Sequence, residues 1–178
     1  MAFFKHNGLL ADTWTRLVAG EITPEKGHVI LDRAQWAAQR EALLPGHMPL
    51  GLRLEPGIDL EPILPDVYRF EVIALNFPKF SDGRSFSTAH LLRIVQRYKG
   101  ELRAVGDVLF DQMQLMQRCG IDAFEVSHPP TLRALEAGKR PGQRNFYQPG
   151  FGPEIPAGTR PWARRRAIDE DGSACFSI

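Results

Sequence analysis

The chain has 178 residues, of which 43% are hydrophobic, and its 22 basic and 21 acidic side chains leave a formal net charge of +1. This length suits one domain, or one domain with a tail, that folds without disulfides or structural metals. The small net charge argues against nucleic acid as a partner. The two cysteines form no disulfide framework, and no apolar run approaches the ~20 residues of a membrane span. We therefore expect a cytoplasmic protein with no membrane partner.

The N-terminal region predicts a short β/α extension. Residues 9–17 and 27–31 are strand candidates. Asp32 is placed to cap a helix over residues 33–44, and Gln35 occupies the capping-box position three residues later. Pro45 and Gly46 end this helix.

Apolar runs and amphipathic stretches alternate in the central region. Strands are predicted at residues 50–54, 71–75, 102–105 and 121–126, and helices at residues 58–67, 89–98, 107–119 and 131–137. This alternation predicts right-handed β-α-β units and a mainly parallel sheet. We expect an α/β fold, either an open sheet or a partial (β/α) barrel. In both, the loops that follow the strands lie on the side that binds ligands.

The C-terminal region has a different composition. Ten of the 24 residues from 138 to 161 are Gly or Pro, and seven Lys or Arg but one Glu occur between residues 138 and 166. We expect residues 1–137 to form a single domain and residues 138–178 to form an extended or disordered basic tail. The tail carries several aromatic side chains, so docking of the tail to a partner stays an alternative: Phe146, Tyr147, Phe151 and Trp162.

The junction between the strand at 71–75 and the following helix predicts an anion site. Lys79, Arg84 and Ser85 lie in this junction, where backbone N–H groups at a helix start favour an anion. Arginine binds sulfate, phosphate or carboxylate with two parallel hydrogen bonds, and Arg103 lies in a neighbouring predicted strand. The alternative is a tight turn in which Asp82 pairs with Arg84.

Two carboxylates form a candidate acid/base pair. Asp107 and Asp111 are four residues apart in a predicted helix, so they would share one face. Carboxylates this close can raise one pKa and serve in acid/base catalysis. The alternatives are a helix cap at Asp107 and a solvated helix face at Asp111. The five histidines have no metal-ligand spacing, so we expect no metal site.

Four polar side chains interrupt the otherwise apolar strands: Arg53, Asn76, Arg103 and Glu125. A buried parallel strand normally has a continuous apolar sequence, and a buried arginine needs a partner. If the sheet curves, these side chains point into one concave space and form a charged pocket. If the arginines lie at the sheet edges, they reach water instead.

The chain has no redox motif. It lacks a C-x-x-C pair, a cysteine cluster, a haem-attachment motif and a G-x-G-x-x-G loop, so we expect no bound cofactor.

Several segments resemble a bacterial family of unknown function. They are residues 77–93 with Phe-Pro-x-Phe-x-Asp-Gly-Arg-Ser-Phe, residues 98–108 with Glu-Leu-Arg-Ala-Val-Gly-Asp-Val, and residues 119–125. The resemblance covers about residues 25–137. Members of this family are labelled "probable oxidoreductase involved in sulfite reduction". The resemblance therefore implies a role in sulfur assimilation.

The resemblance and the residues together predict an accessory protein of assimilatory sulfite or sulfate reduction. It would bind a small oxyanion, through Lys79, Arg84, Ser85 and Arg103, or a partner such as sulfite reductase or a related sulfur-assimilation enzyme. Two alternatives stay open. One is a small enzyme that uses Asp107 and Asp111 on an anionic substrate, and the other is a non-catalytic scaffold for sulfite reductase. Whether the protein is an enzyme is not decided by its sequence.

Overall fold

The computed structural model describes residues 2–5, 8–18, 20–24, 26–141, 145–146 and 165–166. Eight strands form one sheet: β1 (Ala2–Lys5), β2 (Gly8–Leu10), β3 (Thr15–Arg16), β4 (Val29–Leu31), β5 (Leu50–Leu54), β6 (Val72–Phe77), β7 (Glu101–Gly106) and β8 (Ala123–Val126). Four α-helices are α1 (Arg33–Leu43), α2 (Arg84–His90), α3 (Phe110–Arg118) and α4 (Pro129–Glu136). Within the described residues, every helix is too short or too polar to cross a lipid bilayer.

The sheet is mixed but mostly parallel, with the strand order β2-β1-β8-β7-β6-β5-β4-β3. Strands β3 to β8 are parallel and adjacent in sequence order, whereas β1 pairs antiparallel with both β8 and β2. Each step from one parallel strand to the next moves in the same direction across the sheet. Right-handed crossovers therefore place their helices on one face, as in a (β/α) barrel.

The sheet must curl, because the chain connects its two edges with a short segment. Residues 11–14 alone join β2 at one edge to β3 at the other. The five Cα–Cα steps from Leu10 to Thr15 span at most about 18 Å. Eight flat strands would be about 34 Å wide at a spacing of ~4.8 Å. The result is a half-barrel with a convex face that carries the helices and a concave inner face.

The main core lies between the convex face and the helices. Alternate strand residues such as Leu52, Ile73 and Leu102, which are fully buried, pack against helix side chains that include Trp36 and Met113. The other strand residues point to the inner face. A smaller apolar cluster there consists of Ile30, Val72, Ala74 and Val105, with Trp14 packed against it. The predicted α/β fold is confirmed, and of the two predicted arrangements, an open sheet or a partial (β/α) barrel, the structure has the partial barrel.

Most central elements agree with the prediction, and the differences occur at their ends. Asp32 caps α1 through a capping box with Gln35, as predicted. The strand predicted at residues 9–17 is two strands, β2 and β3, and β1 had no prediction. Residues 64–69 form a 3₁₀ helix, which covers part of the helix predicted at 58–67. The predicted tail lies outside the described residues, apart from residues 138–141 and the paired strands β9 (Asn145–Phe146) and β10 (Arg165–Arg166), so the predicted domain boundary stays a prediction.

Candidate functional site

The loop after β6 is fastened to the segment after β7. Asp107 Oδ2 accepts a hydrogen bond of 3.0 Å from the backbone N–H of Phe80. The Gln112 side-chain amide donates to the carbonyl oxygen of the same residue at 2.7 Å. Both backbone groups of Phe80 are thus fixed, although its side chain is 59% exposed.

Arg84 is the first residue of α2 and binds a carboxylate in the same turn. Its Nε and Nη2 atoms donate to Asp82 at 2.9 and 2.7 Å. These hydrogen bonds lower the pKa of the Asp82 carboxyl. This is the geometry of the tight turn that the sequence left open as an alternative. Arg84 Nη1, however, makes no hydrogen bond with any residue that the structure describes.

A cavity of about 580 Å³ lies beside Arg84, between α2 and the chain that follows β5. We call it the rim cavity, because β5 and β6 end there. Its wall combines apolar and polar side chains: Ile58, Leu60, Leu64, Leu91, Asp59, Glu61, Arg84, Ser87 and Thr88. Gly57 has φ +75°, and a Cβ atom at this position would lie 2.8 Å from Arg84 Nη1. Glycine therefore leaves the space that the guanidinium occupies.

Lys79 and Ser85 lie near this cavity but are not among its lining residues. Lys79 is exposed. Ser85 is buried, and its hydroxyl donates to the carbonyl oxygen of Asn76 at 2.6 Å. The serine thus ties α2 to the end of β6. The helix begins at Arg84 and not at Ala89, so Ser85 belongs to its first turn and does not lie in a loop.

Arg103 lies on the inner face of the half-barrel, where it is 1% exposed. Its Nε donates to Glu101 at 2.8 Å and its Nη1 donates to Asp12 at 2.7 Å. Arg84 and Arg103 share no hydrogen-bond partner among the described residues, and Arg103 does not line the rim cavity. The structure therefore does not bring the predicted anion-binding residues into one site.

Asp107 and Asp111 are also separated. The helix α3 begins at Phe110, with Leu109 at its N-cap, so Asp107 precedes the helix and does not cap it. The prediction of a helix over residues 107–119 was wrong at this end, because Gly106, with φ +98°, turns the chain before the helix starts. The two carboxylates therefore share no helix face, and Asp111 is exposed.

The four polar strand residues do share the inner face. Arg53 and Arg103 are both paired with Ala74 across neighbouring parallel strands, so they point to the same side. Arg53 Nε and Asn76 Nδ2 both donate to Glu55, at 3.1 and 2.5 Å. Of the two arrangements left open by the sequence, the structure has the common concave face.

Some contacts of these sites had no signal in the sequence. Ser87 and Thr88 are possible helix caps in the sequence, but they lie inside α2 and line the rim cavity. Asp12 lies 91 residues from its partner Arg103, and no local pattern predicts such a pair. Within the described part of the chain, no three His, Cys, Asp or Glu side chains come together as metal ligands would.

The fold and site define the chain as an α/β half-barrel protein with a ligand-sized cavity at the carboxyl rim of its strands. Residues 51–157 match the family described as bacterial protein of unknown function (DUF934), and the chain belongs to this family. Comparison with curated proteins and with solved structures found no match.

Proposed function

We propose that this protein is an accessory protein of sulfite or sulfate reduction that binds an oxyanion-bearing ligand in the rim cavity. The assignment to sulfite or sulfate reduction rests on the resemblance of residues 77–93, 98–108 and 119–125 to proteins that are labelled as involved in sulfite reduction. The binding role comes from the cavity and its chemistry. Both parts are proposals, and each has its own test.

The observation that carries the binding role is the arrangement of donors at the cavity. Arg84 Nη1 has no hydrogen-bond partner among the described residues and lies at the cavity wall, which also includes Ser87 and Thr88. A guanidinium and hydroxyl groups are donors suited to an oxyanion. The carboxylate of Asp82 already holds one edge of the guanidinium, which fixes its direction.

The size of the cavity indicates more than a bare oxyanion. Its volume of about 580 Å³ is within the range of sites for small organic ligands. The apolar residues Leu60, Leu64 and Leu91 suit a carbon body, and the carboxylates Asp59 and Glu61 suit hydroxyl or amino donors on that body. The proposed ligand therefore joins an oxyanion to a larger group, as in a nucleotide-linked sulfate.

Isothermal titration calorimetry tests this site. The protein is titrated with sulfite, sulfate, phosphate and adenosine 5′-phosphosulfate, and we expect the nucleotide-linked anion to bind most tightly. Arg84→Ala should weaken binding about tenfold or more, because it removes a charged hydrogen bond worth ~1.5–3 kcal/mol. Arg133→Ala is the matched control, since Arg133 is exposed on α4 and distant in sequence. Equal affinities for the two variants, or no heat at millimolar ligand, would reject the site.

A second function, docking of a reductase, is favoured by Phe80. Its ring is 59% exposed, while its backbone is held by Asp107 and Gln112. An aromatic side chain on a fixed backbone loses little conformational entropy on binding, as in interface hot spots. Exposed Lys79 beside it suits a carboxylate at the edge of a partner's apolar pocket.

Affinity capture with sulfite reductase from the same bacterium tests this second function. We expect the full chain to retain the reductase and Phe80→Ala to lose it without a change in melting temperature. Tyr68→Ala is the control, because Tyr68 is an aromatic residue that is 67% exposed elsewhere on the surface. Retention by Phe80→Ala would exclude this surface as the docking site.

A further inference from the structure

The segment from Ala11 to Trp14, which we call the strap, crosses the mouth of the half-barrel. It joins the two edge strands, and its residues Ala11, Asp12 and Thr13 are exposed. Trp14 anchors one end, with its ring 5.1 Å from that of His28 and in contact with the inner apolar cluster. The strap thus crosses the concave face with three of its four residues exposed.

Arg103 lies beneath the strap, and the carboxylate of Asp12 in the strap neutralises part of its positive charge. The side chain is 1% exposed, and its guanidinium carbon lies 4.3 Å from the centre of the Phe3 ring. Glu101, two residues away on the same strand, binds Nε, whereas Asp12 binds Nη1 from the strap. Asp12 keeps 30% of its side chain exposed. A buried guanidinium is thus neutralised in part by a residue at the surface.

The polar network around Arg103 is incomplete. Its Nη2 atom is buried and has no hydrogen-bond partner among the described residues. Glu125 lies on the adjacent strand β8, is half-buried, and likewise forms no hydrogen bond with a described residue. Burial raises the pKa of Glu125, and the nearby Arg103 opposes this shift. A buried donor that remains unpaired is costly, so the open Nη2 of Arg103 needs an explanation.

Small residues flank Arg103 on both neighbouring strands. Ala74 on β6 and Ala123 on β8 are its register partners. The carboxylate of Asp12 reaches Nη1 of Arg103 from the strap. When Asp12 leaves, the place of its carboxylate at Nη1 becomes free.

We propose that the inner face is a second binding site, for a small carboxylate with a hydrogen-bond donor on the neighbouring carbon, and that Asp12 occupies the ligand's position until the strap moves away. The ligand carboxylate binds Nη1 and Nη2 of Arg103, and its hydroxyl or ammonium group donates to Glu125. An α-hydroxy acid or an α-amino acid has this chemistry. The site is separate from the rim cavity and does not rest on the function proposed there.

Hydrogen exchange combined with ligand titration tests the proposal on the full chain. The protein carries Arg84→Ala in every arm, so that the rim cavity does not contribute. The probes are glycolate, glycine, acetate and sulfate. We expect glycolate or glycine to bind more tightly than acetate, which lacks the donor, and than sulfate. Saturation should speed exchange at the amides of Trp14 and Thr15, which are hydrogen-bonded to Asp12 and His28 in the closed strap.

Four further substitutions, one of them a control, locate the binding site. Asp12→Ala should lower the Kd for glycolate by about tenfold or more, because the competing carboxylate is gone. Glu136→Ala is the control for the loss of an exposed carboxylate, because Glu136 is exposed at the end of α4, and it should leave the Kd unchanged. Arg103→Lys should abolish binding, since lysine lacks the planar pair of donors. Glu125→Gln should remove the advantage of glycolate over acetate.

Unchanged or slower exchange in the strap at saturating ligand would overturn the proposal. So would an affinity of Asp12→Ala no higher than that of Glu136→Ala, or no binding of any probe. If Asp12→Ala does not fold, the exchange measurement on the protein with Asp12 intact still shows whether the ligand displaces the strap. The rim cavity is tested by different ligands and by Arg84, so either proposal can fail alone.

Discussion

Asp66 shows how single carboxylates stabilise this fold. Its side chain is 3% exposed in the 3₁₀ helix before β6, and Arg40 on α1 binds it through two nitrogen atoms. The hydrogen bonds from Arg40 hold the pKa of Asp66 below its ordinary value of 3.8. The pair connects α1 to the segment between β5 and β6.

The lowered pKa of Asp66 predicts a loss of stability in acid. A carboxyl whose pKa is lower in the folded state stabilises the protein fully above the unfolded pKa, here 3.8, and this contribution disappears as the pH falls through the folded pKa. We expect Asp66→Asn to lower the melting temperature at pH 6 and to flatten its decline below pH 4. Melting curves from pH 6 to pH 2.5 measure this. An equally steep decline in the variant would contradict it.

Substitutions of Asp107 distinguish an acid/base role of this residue from a purely structural role. Its carboxylate accepts the backbone N–H of Phe80, which an asparagine side-chain oxygen can also accept. If the residue only fixes the loop, Asp107→Asn should keep function and stability, whereas Asp107→Ala should disturb both. If Asp107 performs acid/base chemistry, Asp107→Asn should abolish turnover while the melting temperature stays the same. Reductase activity in a reconstituted assay, with melting curves for both variants, gives the answer.

At the scale of elements, the turn between α2 and β7 is unusual. Residues Leu91–Val95 continue α2 as a π-helix, and Arg97 follows with φ +52°, a left-handed conformation that costs energy for any residue except glycine. Arg93 lies inside this turn, and its hydrogen bonds stabilise the turn conformation. Its guanidinium donates to the carbonyl oxygens of Tyr98, Gly100 and Gly120, and also to Asp122.

Replacing Arg93 should destabilise the protein strongly. Arg93→Met leaves the buried carbonyl oxygens of Tyr98 and Gly120 without their donor, which we expect to cost about 3 kcal/mol. The lost ion pair with Asp122 adds little, because that carboxylate is 43% exposed. Chemical denaturation measures the change in the free energy of unfolding. Arg97→Met is the control in the same turn, because Arg97 is exposed. A loss below ~1 kcal/mol for Arg93→Met would show that water replaces its hydrogen bonds.

The sequence predicted elements where the local signals are strong. The capping box of Asp32 and Gln35, and the apolar run at residues 50–54, both predicted their elements well. The start of α2 was missed, because Gly83 at its N-cap makes no side-chain hydrogen bond. The sequence left two arrangements open for the polar strand residues, a common concave face or the sheet edges. Alternation along a strand can be seen in the local sequence, whereas the curvature of the sheet depends on distant contacts.

At the scale of the whole molecule, the candidate sites depend on contacts that the sequence does not reveal. The rim cavity needs α2 and residues 57–64 side by side, and the inner face needs Asp12 across from Arg103. Such contacts arise from tertiary packing, not from local propensity. The sequence therefore predicted the α/β fold, with a partial barrel as one of two arrangements, but not which arginine and lysine side chains would come together.

The sheet should also exchange its amide hydrogens unevenly. Strands β6 and β7 are central and almost fully buried, whereas β3 is an exposed edge strand of two residues. We expect the slowest exchange in β6 and β7 and fast exchange in β2 and β3. Exchange followed by mass spectrometry measures this. Protection of β3 equal to that of β6 would mean that another surface covers the edge in solution.

The pairing of β1 with β8 has a consequence for biosynthesis. Phe4 lies opposite Phe124, so β1 leaves the ribosome about 120 residues before this part of its partner strand. Until β8 has been made, the aromatic side chains of β1 lack the neighbour that they pack against in the folded protein. Strand β1 is thus among the last elements of the sheet to complete its pairing.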